Sequence, residues 1–337
     1  MTGPHRTPEL RFDTAVTRLL EISHPVLNAP MGDTAGGRLA AAVSDGGGLG
    51  MIGGGYGDPS WLERELDAAA GSRVGVGFIS FALDTDDGAL FAALEAAPAA
   101  IQLSFGDPRP HAEAVHAAGV PLLCGVQSTA DVDLAMEAGA HVLVAQGSDA
   151  GGHGRAGPST LAVIPAVRAL EPDVPLVAAG GIGDGRAMAA ALALGADGVS
   201  MGTRFLATYE AIASVPERQA VLGADAAATV RTEVFDLVRG PRWPDGHDGR
   251  VVRNGFVDDW HAGADLEALA ERFERSDPAD TEVRPVWAGE SAGMVDDVVP
   301  AADLVRRVIA EATGALARLE RLTDCCGGDG GGAGATT

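Results

Sequence analysis

Lysine is absent from this chain of 337 residues, so its 24 permanently basic side chains are all arginines. Schiff-base aldolases, pyridoxal-phosphate enzymes and enzymes with a phosphate-loop lysine each require a primary amine, and the sequence excludes all three classes. Any anion that the protein binds must therefore be held by backbone N–H groups, helix termini or arginine.

Cysteine and long apolar runs are also scarce. The three cysteines show no spacing typical of a metal site or a disulfide framework. No apolar run is long enough to span a membrane, and Met1–Pro8 lacks the apolar core of a signal peptide, so we expect a soluble, cytoplasmic protein. The net charge of −23 opposes binding to nucleic acid or to an anionic membrane, which leaves small molecules as the expected partners.

The chain does contain a repeating series of apolar runs, each bounded by Gly, Pro, Ser or Asp. The runs are continuously apolar rather than alternating, as expected of parallel strands that are buried on both faces. Their spacing of roughly 20 to 35 residues is that of one strand–helix unit, and alanine-rich helical stretches lie between them. The eight predicted strands are Val26–Met31, Leu49–Gly54, Val74–Ile79, Ala100–Phe105, Pro121–Val126, His141–Gly147, Pro175–Ile182 and Gly198–Phe205.

Eight similar units without a long break predict an α/β fold, a closed (β/α)8 TIM barrel with an appended C-terminal segment. An open, doubly wound sheet is the structural alternative. The appended segment is predicted to be mostly irregular over Asp225–Ala262 and helical at Leu266–Arg275 and Ala301–Leu322, and it is a candidate lid packed on the barrel. The predicted divisions are 20–210 for the barrel, 211–325 for the C-terminal segment and 326–337 for a disordered, glycine-rich tail.

Glycines follow two predicted strands that are neighbours in the barrel. One strand ends in Ala179-Gly-Gly-Ile, and the next reads Val199-Ser-Met-Gly-Thr-Arg-Phe. Because glycine has no Cβ, a ligand can closely approach the backbone N–H groups there. The loops after strands seven and eight of such barrels commonly hold a phosphate, so the sequence predicts a phosphate-bearing ligand at this end.

A second candidate segment follows predicted strand six. Gln146 can both donate and accept hydrogen bonds, which suits the edge of a heterocycle. Gly151 and Gly152 permit a tight turn, and His153 then lies at the rim where barrel enzymes carry out their chemistry. A solvated loop histidine is the alternative, but the strand end and the glycine turn favour a functional residue.

A third segment, Ala29-Pro-Met, ends predicted strand one. Pro30 has no N–H and a fixed φ, so Ala29, Pro30 and Met31 form a stiff, small wall against which a planar cofactor could pack. Met31 adds a polarizable contact. This segment by itself is also compatible with an ordinary strand terminus.

Together these segments resemble the nitronate monooxygenases, formerly called 2-nitropropane dioxygenases, a family of FMN-binding TIM barrels. Flavin-dependent enoyl-[acyl carrier protein] reductases share nearly the same set. The resemblance covers roughly residues 20–210 and continues weakly to Trp287–Val299. It is carried by Ala29-Pro-Met, Gly47-Gly-Leu-Gly, Gln146-Gly-Ser-Asp-Ala-Gly-Gly-His, Ala179-Gly-Gly-Ile and Met201-Gly-Thr-Arg-Phe, in that order.

The resemblance implies that FMN lies across the mouth of the barrel. It also implies that His153 is the catalytic residue and that dioxygen reoxidises the flavin after oxidation of an alkyl nitronate to a carbonyl compound and nitrite. Two features depart from the family pattern. Strand three reads Val76-Gly-Phe-Ile, whereas many relatives carry an asparagine near Gly77 that helps hold FMN, and Asp149 stands where many carry glutamate. The implied cofactor contacts are Ala29, Pro30 and Met31 at the ring, Gln146 and Gly151 at the ring or ribityl chain, and Gly181, Ser200, Met201, Gly202 and Thr203 at the phosphate.

Two other functions stay open at this point. One is an enoyl-thioester reductase that uses NAD(P)H, for which Arg155, Arg186 and Arg204 are candidates to attract an acidic carrier protein to the mouth. The other is a flavin-binding protein without catalysis. The oligomeric state also stays open, with a homodimer as one candidate.

Overall fold

Parallel strands form a closed barrel in the computed structural model, which describes residues 12–69, 71–240 and 243–324. The order around the barrel is β1-β9-β8-β6-β5-β4-β3-β2, so consecutive units are neighbours, as predicted. Strand β7 (Gly152–Arg155) belongs to a second sheet. The barrel strands are β1 (Val26–Asn28), β2 (Gly50–Gly55), β3 (Val74–Ile79), β4 (Ile101–Ser104), β5 (Leu122–Val126), β6 (Val142–Gln146), β8 (Leu176–Ala179) and β9 (Gly198–Met201).

The barrel closes between β1 and β2 through one side chain as well as the backbone. Leu49 N–H donates to the Val26 carbonyl at 3.0 Å. Beyond that bond, the fully buried amide of Asn28 donates to the Met51 carbonyl at 2.7 Å and accepts from Met51 N–H at 2.8 Å. Asn28 thereby satisfies two buried backbone groups where regular strand pairing stops. This closure confirms the barrel over the open sheet.

Helices surround the barrel in the order that the sequence predicts. Several begin at a capping side chain, such as Asp58 and Asp184, which accepts from backbone N–H groups of the first turn. The α-helices are α1 (Ala15–Leu20), α2 (Gly37–Asp45), α3 (Pro59–Ala68), α4 (Ser80–Leu83), α5 (Gly88–Glu95), α6 (Arg109–Ala117), α7 (Thr129–Glu137), α8 (Thr160–Leu170), α9 (Gly185–Ala193), α10 (Thr203–Leu206), α11 (Val215–Leu222), α12 (Val234–Arg239), α13 (Gly255–His261), α14 (Leu266–Arg275) and α15 (Ala301–Asp324), with 3-10 turns at Ala226–Ala228 and Glu290–Met294.

The last helix completes the outer layer. Helix α15 packs against α9 and α2, which is the place of the eighth barrel helix. The contact with α9 is close because a Cβ on Gly185 would lie 2.2 Å from the Val308 carbonyl oxygen. The residues between β9 and α15 are therefore an insertion in the final strand–helix unit.

The expectation of an irregular segment over Asp225–Ala262 is wrong. That region contains α12, α13 and two strands, β10 (Thr229–Thr232) and β11 (His247–Val252). With β7 (Gly152–Arg155) these strands form an antiparallel sheet in the order β10-β11-β7. The sequence of β7, Gly-His-Gly-Arg, contains no apolar residue that would predict a strand. The segment is a strand because it pairs with β11, which is distant in the chain.

The packing separates a barrel interior from the core of the insertion. Helix α1 contributes Val16 and Leu20 to the interior cluster, and Val16 lies near the start of β9, at the end where the strands begin. The insertion has its own buried aromatic cluster around Phe235, Phe256 and Phe273. Within residues 12–324, apart from the gaps given above, no helix has the length and apolarity needed to cross a bilayer. The predicted tail, 326–337, lies outside the described residues.

We expect Asn28→Leu to destabilise the barrel seam. Leucine has a similar volume but leaves both backbone groups of Met51 buried and unpaired. Each unpaired group costs about 1–3 kcal/mol, so the free energy of unfolding should fall by roughly 2–6 kcal/mol. Urea unfolding followed by circular dichroism measures the change, and an unchanged midpoint would show that closure does not depend on this amide.

Candidate active site

A cavity opens at the carboxyl ends of the barrel strands and is roofed by the insertion. Its volume is about 330 Å³. Met201 is the predicted contact that does not line it, because its side chain is buried in β9 with 1% exposure. The predicted residues that do line the cavity are Ala29, Pro30, Met31, Gln146, Gly151, His153, Gly181, Ser200, Gly202 and Thr203.

One wall of the cavity is the segment after β1. Ala29 N–H donates to the Met201 carbonyl at 2.8 Å, which ties the wall to β9. The ring of Pro30 lies directly over Gly77, where an added Cβ would be 2.4 Å from Pro30 Cγ. The wall is therefore fixed at both sides, and glycine at position 77 is required by its close approach.

The glycine turn after β8 lies on a polar support. Gly180 and Gly181 have φ values of 105° and 64°, which favour glycine. A Cβ on Gly181 would lie 2.7 Å from an Asp149 carboxylate oxygen. That carboxylate also accepts from Thr160 N–H at 3.1 Å and from its hydroxyl at 2.6 Å. Asp149 thus lies against the turn and is held there by Thr160.

Backbone donors are available at both glycine-rich strand ends. Within the described ranges, the N–H groups of Gly181, Gly202 and Thr203 donate to no protein acceptor. The Thr203 hydroxyl is engaged, since it accepts from Gly289 N–H at 2.9 Å. All three positions line the same cavity, so their free donors can bind an anion without lysine.

His153 is positioned by a carboxylate from the insertion. It lies on β7, and its Nε2 is 2.8 Å and 3.0 Å from the two carboxylate oxygens of Asp236. The two side chains are only 11% and 10% exposed. An ionised carboxylate only accepts, so Nε2 carries the proton, and in the neutral ring Nδ1 holds the lone pair. This arrangement prepares Nδ1 to act as a base.

Two tryptophan rings of the cavity lining pack against His153. Trp243 stacks on the imidazole with a centroid distance of 3.8 Å and an interplanar angle of 4°, and Trp287 lies at 4.8 Å. The Trp243 indole N–H donates to the Tyr56 hydroxyl at 2.9 Å. Burial raises the pKa of Tyr56, which therefore stays neutral. The rings form an apolar roof that limits the access of water to the imidazole.

Sequence reasoning missed Asp236, Trp243 and Trp287. They belong to the insertion, where no strand end or glycine motif marks a site. The candidate arginines are also not at the cavity: Arg155 and Arg186 pair with Asp131 and Asp184, and the buried Arg204 pairs with Asp297. Arg239 at the end of α12 does line the cavity, and no carboxylate in the described part of the chain forms an ion pair with it.

Within the described residues, cysteine supplies no nucleophile at this site. Cys124 is buried in β5, and burial raises the pKa of its thiol to about 12, so it carries no thiolate at neutral pH. Cys325 and Cys326 lie outside the described residues. Among the described residues, His153 is the histidine that lines the cavity.

The family to which the chain belongs is decided by comparison with known proteins. The profile of the nitronate monooxygenase family matches residues 13–72 and 77–311. The chain belongs to the nitronate monooxygenase family. A relative named nitronate monooxygenase from Neurospora crassa is 35% identical, over 88% of this chain and 90% of that protein.

Solved structures show the same fold. The structure of FabK from Thermotoga maritima has a TM-score of 0.80 at 29% identity, over 92% of this chain and 99% of that one. A nitroalkane oxidase from Streptomyces ansochromogenes has a TM-score of 0.75 at 27% identity, over 91% and 100%. The chain is thus an oxidoreductase of a flavin-dependent family whose reaction is oxidation of nitronates.

We expect Asp236→Asn to disturb the orientation and tautomer of His153. An amide can present either an acceptor or a donor to Nε2. The choice of the ring nitrogen that carries the proton is therefore no longer fixed. Proton abstraction by His153 should slow by about 10²-fold, the lower end of the range for general-base catalysis, and turnover that depends on it should fall accordingly. The ¹⁵N shifts of the His153 ring should change with it. Asp258→Asn, an exposed carboxylate of the same insertion, is the control, and equal turnover by both variants would contradict the assignment.

Proposed function

We propose that this family member is an FMN-dependent monooxygenase that oxidises alkyl nitronates, and nitroalkanes after their deprotonation, with dioxygen to a carbonyl compound and nitrite. The observation that carries the proposal is the His153–Asp236 pair beside a cavity that the glycine-rich strand ends also line. A base and an anion site in one cavity suit a weakly acidic substrate. The base removes its proton, and the resulting anion is then oxidised.

The residues present fit FMN. The flat wall of Ala29, Pro30 and Met31 suits one face of a planar ring, and Gln146 and Gly151 line the cavity beside it. The free N–H groups at Gly181, Gly202 and Thr203 suit a phosphate, with Ser200 next to them. When bound, FMN supplies the two-electron oxidation of the substrate and its coupling to dioxygen.

The chain itself supplies the proton transfer and the setting. His153 Nδ1 takes the α-proton of a nitroalkane while Nε2–H stays bonded to Asp236. The roof formed by Trp243 and Trp287 excludes water from the transfer. Arg239, at the cavity wall, attracts an anionic nitronate to a protein whose net charge is otherwise strongly negative.

The flavin proposal is tested at Gly202. A Cβ there would make only ordinary contacts, 3.5 Å from Met31 Sδ and 3.6 Å from Ala29 Cβ, so Gly202→Val should fold normally. The larger side chain should block access to the backbone donors and weaken FMN binding at least tenfold. Fluorescence titration of the apoprotein with FMN measures this, alongside the thermal midpoint.

The matched control is Gly157→Val, a glycine outside the cavity with only ordinary neighbours. It should bind FMN as the unaltered protein does. If Gly202→Val bound FMN as tightly as this control, the phosphate would lie elsewhere. If the unaltered protein were colourless and took up no FMN, the proposed function would fail.

The role of His153 is tested with His153→Asn, which cannot accept the substrate proton. General-base catalysis is worth about 10²–10⁴ in rate, so nitroalkane turnover should fall by that factor, whereas preformed nitronate should still be oxidised. Nitrite release from both substrates is the measurement, with FMN content determined for each preparation. His261→Asn, an exposed histidine of α13, is the control. Normal rates on both substrates at normal FMN content would remove His153 from the mechanism.

Anaerobic mixing of the yellow protein separates this function from the two alternatives. Bleaching by nitronate indicates the monooxygenase, and bleaching by reduced nicotinamide indicates a reductase. A flavin that neither reagent bleaches indicates binding without catalysis.

A further inference from the structure

One buried amide in the cavity has a polar end without a partner. Gln102 on β4 is 6% exposed and lines the cavity. Its Nε2 donates to the Ser104 hydroxyl at 3.1 Å, and its Oε1 is buried with no hydrogen-bond partner in the described structure. Exchanging the two ends of the amide would only transfer the deficit to the NH₂ group. Buried polar groups of this kind are nearly always satisfied by protein, water or ligand.

The register of the sheet explains why the amide comes from this position. Gly53, Gly77 and Gln102 are aligned on β2, β3 and β4. A Cβ on Gly53 would lie 2.1 Å from the Met31 carbonyl oxygen, and one on Gly77 would lie 2.4 Å from Pro30 Cγ. The wall after β1 therefore fills the space above β2 and β3. Gln102 is the first position in this row that has room for a side chain.

We propose that Gln102 hydrogen-bonds directly to the polar edge of the flavin ring, an inference that rests on the proposed FMN site. The Pro30 ring packs beside Gln102 across Gly77, so a ring system stacked on the wall brings its edge to the amide. That edge carries alternating carbonyl and N–H groups, which a carboxamide can match because it both donates and accepts. Gln146, the other cavity glutamine, already donates to the His153 carbonyl at 2.9 Å.

A ligand contact and a structural role predict opposite effects on the apoprotein. Gln102→Leu removes the unpaired buried group, so the apoprotein should be at least as stable to heat as the unaltered one. Its Kd for FMN should rise roughly three- to tenfold, the range for loss of one hydrogen bond. The visible absorption bands of the bound flavin should also shift. Unchanged Kd and spectrum would overturn the inference, as would a less stable apoprotein with unchanged FMN affinity per folded molecule.

A second variant tests the same contact without replacing the polar side chain by an apolar one. Gln102→Glu retains the side-chain length and places a carboxylate at the ring. The negative charge of the carboxylate disfavours reduction of the flavin. The midpoint potential of the bound flavin, measured by photoreduction against a reference dye, should therefore fall. An unchanged potential would also overturn the inference.

Gln127→Leu is the matched control. Gln127 follows the next strand, β5, and its Oε1 accepts from Arg155 N–H at 3.2 Å outside the main cavity. Its Kd for FMN and its flavin spectrum should equal those of the unaltered protein. Failure of the unaltered protein to take up FMN would count against the proposed function, whereas equal FMN binding by the unaltered protein and Gln102→Leu would count only against Gln102.

Discussion

The closure of the barrel between β1 and β2 is the constraint on which the site depends. Asn28 replaces missing strand pairing with two hydrogen bonds to Met51, and the chain directly after it becomes the flat wall of the cavity. Pro30 can lie over the sheet only because Gly77 beneath it has no side chain. A single buried amide therefore determines both the end of the seam and the place where a planar ligand can pack.

The second half of the site is supplied by the insertion between β9 and α15. It is attached to the barrel loops by backbone contacts that tolerate no side chain: a Cβ on Gly151 would lie 2.4 Å from Gly289 N. Glu290 N–H also donates to the Asp149 carbonyl at 3.0 Å. Because these contacts fix the insertion, Asp236 and Trp243 reach His153 with defined geometry.

Electrostatics in this lysine-free chain follow from the same arrangement. With a net charge of −23, the protein has little general attraction for anions, so binding must rest on local donors. The three arginines that the sequence suggested for the mouth pair with carboxylates away from the cavity. Arg239 does line the cavity, and no carboxylate of the described residues forms an ion pair with it. Backbone N–H groups at the glycine turns bind a phosphate without a buried cationic side chain. They therefore avoid the free-energy cost of desolvating such a charge, which makes them suitable for a phosphate in an acidic protein.

The sequence by itself determined the barrel, its strand order and the glycine-rich strand ends, because these depend on local signals. Continuous apolar runs, glycine turns and the Ala29-Pro-Met segment each act within a few residues, and each of the eight predicted runs contains a barrel strand. The last predicted run is too long, since its strand ends at Met201 and Thr203–Leu206 is helical. The tertiary structure decided the partners of His153. Asp236 is 83 positions away in the chain, and Trp243 has no motif around it, so pairing across that distance leaves no local pattern. It also decided that Met201 is turned into the core and that the buried Gln102 lines the cavity, since the face that a strand residue presents depends on the register of its neighbours.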